Sequence, residues 1–290
     1  MPAPHPAAPP ASEAAAYRMR VRFWGVRGSI ATPLPETLGV GGNTACVEVR
    51  VPGGPPLVLD LGTGARGLGA ALVHEADGAA LDLHVLLSHF HWDHIQGFPF
   101  FAPLYGPGNR VTLYAADADG PPRALLEGQM QAPYFPVDFD ELPAAPRFVT
   151  LEAHRPVEIG GARVVPFPVH HTQHVFGFRI EAGGACLVYC TDYEHGDPGA
   201  DALIAEMARG ADLLICDAQY TPEEYATREG WGHTTWEVAA RLARRAGVAR
   251  LALFHHDPTH ADADLEEILG AARAIFPDTL LATEHTVVDL

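Results

Sequence analysis

The sequence predicts an α/β protein arranged as a four-layer α/β/β/α sandwich, and two observations support this fold class. The first half contains short apolar runs separated by Gly and Pro, the pattern of successive buried strands. The second half resumes with strands and then alternates helical and strand patterns. Because each half can supply one sheet with helices on its outer side, we expect the two sheets to pack face to face.

In the first half, five apolar runs are predicted strands, and one helical pattern lies between them. Each run has the length of a single strand and is bounded by Gly, Pro or polar residues. The strands are predicted at 20–26, 45–51, 56–62, 81–89 and 110–116, and the helix at 65–76.

The second half repeats this organisation with three strands followed by helices and strands in alternation. The three strands are predicted at 162–169, 174–182 and 185–191. The alternating part has helices at 200–209, 234–246 and 262–275 and strands at 212–217, 250–254 and 279–283.

The length of 290 residues, nearly half of them apolar, favours one domain, which we place at 18–290. Residues 1–17 are rich in Ala and Pro and are predicted to be a disordered tail. The segment 120–146 interrupts the strand rhythm with Pro, Gly and aromatic residues. Loops of that length usually have a function, so we expect it to cover the active site or to form a homodimer interface.

The charge balance limits the size of the substrate. The chain has 36 Asp and Glu against 19 Lys and Arg, a net charge of −17, which would repel an extended nucleic acid. A bound divalent ion dominates its own neighbourhood, however, and could attract one small anion. We therefore expect a small, anionic substrate rather than extended nucleic acid.

The cysteines and the N-terminal composition indicate a cytoplasmic protein. Cys46, Cys186, Cys190 and Cys216 lie in apolar segments without zinc-ribbon or secreted-scaffold spacing, and are predicted to be buried and reduced. The beginning of the chain resembles neither a signal peptide nor a membrane span, and no later apolar stretch is long enough to cross a bilayer.

Four potential metal ligands follow one predicted strand within six residues. The apolar run LHVLL leads into SHFHWDH, which contains His89, His91, Asp93 and His94. Neutral imidazoles suit zinc, and a carboxylate adds compensating charge. His89 and His91 can therefore bind one ion while Asp93 and His94 turn toward a second.

This segment resembles the H-x-H-x-D-H signature of the metallo-β-lactamase superfamily, and LVLDLGTG resembles the strand and turn that precede it. The resemblance covers roughly residues 19 to 290 and implies the four-layer αββα metallo-β-lactamase sandwich. It also implies a hydrolase with two divalent metal ions, for which we expect zinc, with manganese and iron as alternatives.

The later ligands are implied by the phosphodiesterase branch of that superfamily, which includes tRNA 3′-processing endonucleases and small cyclic phosphodiesterases. In that branch a histidine stands six residues before a Gly-aromatic pair, as His171 stands before Gly177 and Phe178. His170 and His174 are close enough to compete for this role.

Two further ligands are implied at the ends of later strands. Asp192 ends LVYCTD and resembles the bridging carboxylate of the family, although Asp after a strand is often a turn or capping residue. His255 in LALFHHD resembles the terminal histidine, which leaves His256 outside the ligand set. The implied sets are His89, His91 and His171 for one ion, Asp93, His94 and His255 for the other, and Asp192 between them.

Three supporting residues complete the predicted site. Asp60 could accept a hydrogen bond from a liganding imidazole, or it could simply end a strand in a turn. His233 resembles histidines that act near the scissile phosphate, and it is our candidate acid or phosphate ligand; the alternative is a polar residue beside a helix N-cap. Glu194 could orient His233, or it could be a solvated carboxylate. With Asp93, His233 and Glu194 are the predicted catalytic residues.

Aromatic segments could line the mouth of this site. Phe98 to Phe101 and Tyr134 to Pro136 could stack on a flat group, or pack in the core. The segments FWGVRGSIATP and GGNTACVEV resemble a bacterial subgroup described as cyclic-nucleotide phosphodiesterase-like.

The resulting hypothesis is a two-metal phosphodiesterase that acts on a small phosphodiester such as a cyclic nucleotide. Thioester and lactone hydrolases of the same fold remain alternatives, because those branches share the bridging aspartate. A β-lactamase fits less well, since that group lacks the bridging aspartate and is exported. The redox di-iron branch carries Glu where His91 stands. A catalytically silent binding module would be expected to lose ligands, and none is missing here.

Overall fold

The computed structural model describes residues 17–290, so the tail predicted for 1–17 lies, apart from Tyr17, outside the described residues. The strands in chain order are β1 (Arg20–Gly25), β2 (Cys46–Arg50), β3 (Leu57–Leu59), β4 (Asp82–Leu86), β5 (Arg110–Ala115), β6 (Arg147–Thr150), β7 (Val157–Ile159), β8 (Ala162–Val169), β9 (Val175–Ala182), β10 (Ala185–Cys190), β11 (Leu213–Asp217), β12 (Leu251–Phe254), β13 (Thr279–Leu281) and β14 (Val287–Asp289).

The helices lie between these strands and on their outer sides. They are α1 (Ala65–Ala76), α2 (Trp92–Ile95), α3 (Pro122–Gly128), α4 (Pro198–Met207), α5 (Pro222–Tyr225), α6 (Trp236–Ala246) and α7 (Asp262–Ile275), with short 3-10 helices at Phe98–Phe100, Ala102–Tyr105 and Phe139–Glu141. None of the helices within 17–290 has the length and apolar character needed to span a bilayer.

The described strands form two seven-stranded mixed sheets with mirrored organisation. The first has the order β14-β1-β2-β3-β4-β5-β6, antiparallel as far as β3 and parallel from β3 onward. The second has the order β13-β12-β11-β10-β9-β8-β7, parallel as far as β10 and antiparallel beyond it. The predicted fold class, two sheets between helical layers, is confirmed.

Alternating side chains separate the layers. On β3, Leu57 and Leu59 belong to the core that contains the strands of the second sheet, whereas Val58 packs in the outer layer with Leu68 and Leu72 of α1. This is the period-two alternation of a strand buried on both faces. The outer layer of the second sheet is formed by α4, α6 and α7, whose buried apolar side chains belong to the same core as β10, β11 and β12.

Several predicted boundaries shift for local reasons. The strand predicted at 56–62 stops at Leu59, because Asp60 has a left-handed backbone conformation with φ of 60°. The helix predicted at 200–209 begins earlier, at Pro198, because the Asp197 side chain accepts a hydrogen bond from Ala200 N and caps it. The helix predicted at 234–246 begins at Trp236, with Thr235 as its N-cap.

Three strands were not predicted from the sequence. β6 is largely exposed, so it lacks the alternation that marks a half-buried strand. β7 and β14 have only three residues each, and β14 joins the first sheet by pairing with β1 at the other end of the chain. Pairing of this kind has no local sequence signal.

The segment 120–146 packs against the outer side of the first sheet. Its buried side chains Leu126, Met130, Phe139 and Leu142 belong to the outer core that also contains α1. The side-chain amide of Gln129 donates a hydrogen bond to Ile95 O at 3.2 Å, beside the predicted metal ligands. A role for this segment as an active-site cover stays a prediction.

Candidate metal centre

The predicted ligands meet where strands of both sheets end. In the second sheet, β8, β10, β11 and β12 run in the same direction, so their carboxyl ends lie along one edge. Open α/β sheets bind ligands at such edges. His89 follows β4 of the first sheet, while His171, Asp192 and His255 follow β8, β10 and β12.

One group of donor atoms consists of His89, His91, His171 and Asp192, each of which offers an atom within 4.8 Å of all the others. Nε2 of His171 lies 3.3 Å from Nδ1 of His91 and 3.8 Å from Oδ1 of Asp192. Nε2 of His89 lies 3.7 Å from the same carboxylate oxygen. Four donors around one centre are what a tetrahedral zinc site requires.

The second group consists of Asp93, His94 and His255, joined by the other oxygen of Asp192. Nε2 of His94 lies 3.2 Å from Nε2 of His255 and 3.3 Å from Oδ2 of Asp93. Oδ2 of Asp192 lies 3.1 Å from His94 Nε2 and 3.4 Å from His255 Nε2. For bonds of about 2.0–2.1 Å, a tetrahedral ion separates its donors by about 3.3–3.4 Å.

Asp192 lies between the two groups and presents one carboxylate oxygen to each. Oδ1 faces His89 and His171, and Oδ2 faces His94 and His255. The side chain is buried and its backbone φ is 54°, a left-handed value that costs a non-glycine residue on the order of 1–3 kcal/mol. Asp60 and His255 have the same conformation, with φ of 60° and 59°. Strained residues of this kind cluster at functional sites.

Oxygen acceptors behind the imidazoles determine which ring nitrogen faces the centre. Nδ1–H of His94 donates to Asp60 Oδ2 at 2.9 Å, and Nδ1–H of His255 donates to Gln219 Oε1 at 2.9 Å. Tyr189 OH donates a hydrogen bond to the same Asp60 Oδ2 at 2.8 Å and helps to fix the carboxylate. With Nδ1 protonated, each ring directs the lone pair of Nε2 toward the other group members.

These residues fit a bound cation. Nε2 of His89 is buried and has no hydrogen-bond partner within the described chain, and such an orphaned atom is costly unless something coordinates it. The Nε2 atoms of His94 and His255 face each other at 3.2 Å although both Nδ1 atoms already have acceptors. Only a metal ion or a proton between these nitrogens removes the repulsion.

Charge at the centre is unevenly distributed when no metal is bound. Burial, reinforced by the neighbouring His94, holds the pKa of His89 well below its usual range. Burial also lowers the pKa of His94, but the negative charges of Asp192, Asp93 and Asp60 outweigh this effect. They hold the pKa of His94 well above its usual range. A proton therefore occupies the second group in the metal-free protein, and a metal ion would displace it.

His233 lies beside the centre and is paired with a carboxylate that the sequence did not indicate. Its ring is stacked on His255, with centroids 5.0 Å apart, and its Nδ1–H donates to Asp217 Oδ2 at 2.9 Å. Burial opposes the charged form, but Asp217, with Asp192 and Asp93, raises the pKa of His233 to about 9. Asp217 ends β11, as Asp192 follows β10, and this shared strand-end position is the signal that could have identified it.

The sequence suggested that Glu194 could orient His233 by a hydrogen bond, but in the structure the Glu194 carboxylate has other partners. Its buried carboxylate accepts hydrogen bonds from Gly230 N at 2.5 Å, Gly232 N at 2.8 Å and Tyr225 OH at 3.2 Å. The geometric reason is that His233 turns Nδ1 toward β11, where Asp217 lies, while Glu194 faces the backbone that precedes His233.

The competing histidines lie outside both donor groups. His170 is exposed, and its Nδ1 lies 3.0 Å from Glu194 O. His174 is exposed and forms a pair with Asp119. His256 is buried, donates from Nε2 to Ala282 O at 2.9 Å, and has its pKa lowered by burial to about 3.

The N-terminal loop contributes a contact that sequence reasoning missed. Ser29 has a left-handed φ of 64°, and its backbone N–H donates to Asp93 Oδ2 at 2.8 Å. A Cβ at the neighbouring Gly28 would lie 2.4 Å from His255 Nδ1, so only glycine fits there. Arg27 is completely buried and donates to Gly41 O and His260 O, which ties this loop to the segment after β12.

The predicted aromatic lining divides into core and surface residues. Phe98 and Phe101 are buried in the outer core, whereas Phe100 and Tyr134 are 57% and 83% exposed. Phe135 packs edge-on against Phe100, with ring centroids 5.5 Å apart. Only the exposed members can meet a substrate without rearrangement.

Comparison with known proteins supports the resemblance to the metallo-β-lactamase superfamily. The family model described as β-lactamase superfamily domain matches residues 58–256. An uncharacterized protein of Mycobacterium leprae is 32% identical over 266 residues, which cover 89% of this chain and 84% of that protein. Ribonuclease Z of a Synechococcus strain is 26% identical over 334 residues, which cover 94% and 96%.

Solved structures show the same fold at lower identity. The metallo-β-lactamase fold protein YhfI of Bacillus subtilis has a TM-score of 0.71 at 21% identity, covering 94% of this chain and 99% of that one. A diphosphatase from the PhnP family has a TM-score of 0.67 at 19% identity, covering 94% and 98%. Zinc-bound PqqB of Methylobacterium extorquens has a TM-score of 0.67 at 20% identity, covering 93% and 100%. The chain therefore belongs to the β-lactamase superfamily and has the metallo-β-lactamase fold.

Proposed function

We propose that this protein is a metal-dependent phosphodiesterase that hydrolyses a small, anionic phosphodiester such as a cyclic nucleotide. The carrying observation is that two donor groups share Asp192, one oxygen to each, while the His233–Asp217 pair lies beside them. Two adjacent cations and a proton donor form the arrangement required for in-line displacement at phosphorus.

In this proposal His89, His91 and His171 would hold one divalent ion, Asp93, His94 and His255 would hold the other, and Asp192 would contribute to both. The imidazole-rich donor set suits zinc, and manganese and iron are the alternatives. The similarity to zinc-bound PqqB supports this choice. When bound, such ions supply Lewis acidity toward water and toward a phosphoryl oxygen.

The protein itself supplies the proton for the leaving group. At neutral pH a pKa of about 9 keeps His233 protonated in the metal-free protein, and the Nδ1–H bond to Asp217 leaves Nε2–H to donate. Nε2 has no hydrogen-bond partner within the described residues, so this proton is available to a departing alkoxide. Asp217 holds the ring in place and stabilises its positive charge.

The net charge favours a small substrate over RNA. The chain has 36 acidic residues against 19 arginines and no lysine. The similarity to ribonuclease Z raises the competing candidate of a structured RNA. A net charge of −17 would repel such a polyanion, which favours the smaller substrate.

The test is turnover of the purified protein with and without Zn²⁺ or Mn²⁺. The substrates are bis(p-nitrophenyl) phosphate, 3′,5′-cyclic AMP, a precursor tRNA, a thioester, a lactone and a cephalosporin. We expect phosphodiester turnover that a chelator abolishes and that added metal restores. Turnover confined to the thioester, lactone or cephalosporin would contradict the proposed phosphodiester substrate. A preference for precursor tRNA would contradict the proposal that the substrate is small. No turnover of any substrate would favour a binding module.

We also propose that the protein acts in the cytoplasm. Cys46, Cys186, Cys190 and Cys216 are all free and buried, as expected of thiols in a reducing compartment. Cell fractionation with an antibody to the native protein tests this, and recovery from a membrane or secreted fraction would contradict it.

A further inference from the structure

The loop between α5 and α6 approaches the metal centre through its backbone. Gly232 O accepts a hydrogen bond from His171 Nδ1–H at 2.6 Å, the shortest of the bonds behind the candidate imidazole ligands. This bond leaves the lone pair of His171 Nε2 facing His91 and Asp192. A peptide carbonyl can orient an imidazole ligand only if its own peptide is held in place.

Glu194 holds that peptide. Its Oε2 accepts from Gly232 N at 2.8 Å, and its Oε1 accepts from Gly230 N at 2.5 Å. The residue is 6% exposed, and no arginine side chain lies within ion-pair distance in the described structure. A buried carboxylate that depends on backbone N–H groups for its stabilisation binds them strongly, because charged acceptors form the stronger hydrogen bonds.

Glu194 also contacts the segment that carries the ligand candidate. Its backbone N–H donates to His170 O at 2.8 Å, and its carbonyl lies 3.0 Å from His170 Nδ1. One residue therefore joins both loops, the one that carries His171 and the one whose carbonyl orients it. Hydrogen bonds thus link His171 to Gly232, Gly232 to Glu194, and Glu194 to His170, the residue before His171.

Position 232 requires glycine both because its backbone conformation is left-handed and because a Cβ would collide with His171. Its φ is 88°, and a Cβ there would lie 2.2 Å from His171 Nδ1. Gly230 has nearly the same φ, 86°, but a Cβ there would have no atom within 4 Å. The two glycines thus form a matched pair: alanine strains both backbones equally, and only at Gly232 does it displace the imidazole.

We propose that Glu194 and Gly232 are positioning residues for the metal centre: the Glu194 carboxylate holds the Gly232 peptide, whose carbonyl selects the tautomer and orientation of His171. This inference rests on the proposed metal site but is independent of the substrate.

The first experiment uses metal-free protein. Imidazole nitrogen NMR with ¹⁵N-labelled histidine reports the tautomer of His171, which we expect to be the Nδ1–H form in the unmodified protein. Glu194→Gln places an amide N–H₂ against one of the two backbone donors, and Gly232→Ala displaces the ring. Both should convert His171 to a mixture of tautomers. Glu229→Gln, which removes an exposed carboxylate of the same loop, should leave the His171 signals unchanged. Gly230→Ala strains the backbone at the other donor to Glu194 but places no Cβ near the imidazole, so it should change the His171 signals less than Gly232→Ala.

The second experiment measures Zn²⁺ affinity by competition with a chromophoric chelator. We expect Glu194→Gln and Gly232→Ala to weaken one of two bound ions by roughly 10- to 100-fold, the usual effect of losing an outer partner of a metal ligand. Glu229→Gln should match the unmodified protein, and Gly230→Ala should lose less affinity than Gly232→Ala. Unchanged tautomer and unchanged affinity in Glu194→Gln would overturn the inference, even if Gly232→Ala failed to fold. Absence of zinc binding in the unmodified protein would instead overturn the proposed function, while the tautomer measurement still decides the role of Glu194.

Discussion

The Asp217 carboxylate lies 2.9 Å from Nδ1 of His233, and this contact determines the charge of the histidine. Burial favours the neutral ring, but Asp217, with further contributions from Asp192 and Asp93, raises the pKa of His233 to about 9. This contact joins the end of β11 to the loop that precedes α6, so the sheet helps to orient the proposed proton donor.

We therefore predict that Asp217→Asn reduces turnover by roughly 10²-fold or more, since a positioned general acid contributes about 10²–10⁴-fold. The loss should be larger for an alkyl phosphodiester, whose alkoxide needs a proton, than for bis(p-nitrophenyl) phosphate. Comparison of kcat for the two substrates in Asp217→Asn and His233→Ala checks this. Equal losses on both substrates would argue against a proton transfer by His233.

The same pair should give a pH-dependent stability in the metal-free protein. The pKa of His233 is raised in the folded state from its ordinary value of 6.5 to about 9, so its stabilising contribution is fully present below pH 6.5 and is lost as the pH rises through 9. The difference in free energy of unfolding between the unmodified protein and Asp217→Asn should shrink over that interval. Urea denaturation at pH 6 and pH 9.5 with chelator present measures it, and a constant difference would refute the assignment.

Metal binding should release protons. His94 is protonated in the metal-free protein because three carboxylates raise its pKa, and the second ion needs its neutral Nε2. We expect metal affinity to increase with pH and about one proton to be released per protein at pH 7. Calorimetry of Zn²⁺ binding in buffers of different ionisation enthalpy measures the proton count. A count of zero would show that His94 is already neutral.

Replacement of Asp93 or His94 should separate catalysis from folding. Asp93→Asn replaces an anionic donor by a neutral amide, and His94→Asn removes an imidazole donor, so turnover should disappear and circular dichroism should remain native. Metal analysis should show one ion fewer per protein. Glu75→Gln, on the exposed side of α1, is the control that changes charge without approaching the centre. Full activity in both site variants would exclude the two-metal mechanism.

Asp60 should act on the metal through His94. Asp60→Asn weakens the acceptor behind Nδ1, and we expect a roughly 10- to 100-fold loss of affinity for the ion bound by His94. Tyr189 OH donates a separate 2.8 Å hydrogen bond to the Asp60 carboxylate. Tyr189→Phe removes this bond and leaves the bond between Asp60 and His94 in place. It should lower stability but change metal affinity less. Equal effects of the two variants on affinity would assign Asp60 a purely structural role.

Much of the fold was predictable because its signals are local. Short apolar runs ended by Gly, Pro or Asp marked most strands, and the two-sheet class is confirmed. His89, His91, Asp93 and His94 were recognisable from one compact motif, and the resemblance to the metallo-β-lactamase superfamily implied His171, Asp192 and His255. The structure brings all seven into two adjacent groups, and their binding of metal stays a prediction.

The contacts that orient these residues were decided by tertiary structure alone. Asp217 and His233 lie 16 positions apart, and Glu194 and Gly232 lie 38 apart. Glu194 follows β10 and Asp217 ends β11, and because these strands are parallel neighbours both residues approach the loop before α6. From the sequence, Glu194 and Asp217 were both acidic residues near a strand, and only Glu194 was chosen as the partner of His233. A residue type restricts what a side chain can bind, and its motif indicates the end of the strand on which it lies. Which partner it meets depends on the packing of distant segments, because hydrogen bonds require distances and angles that no local pattern encodes.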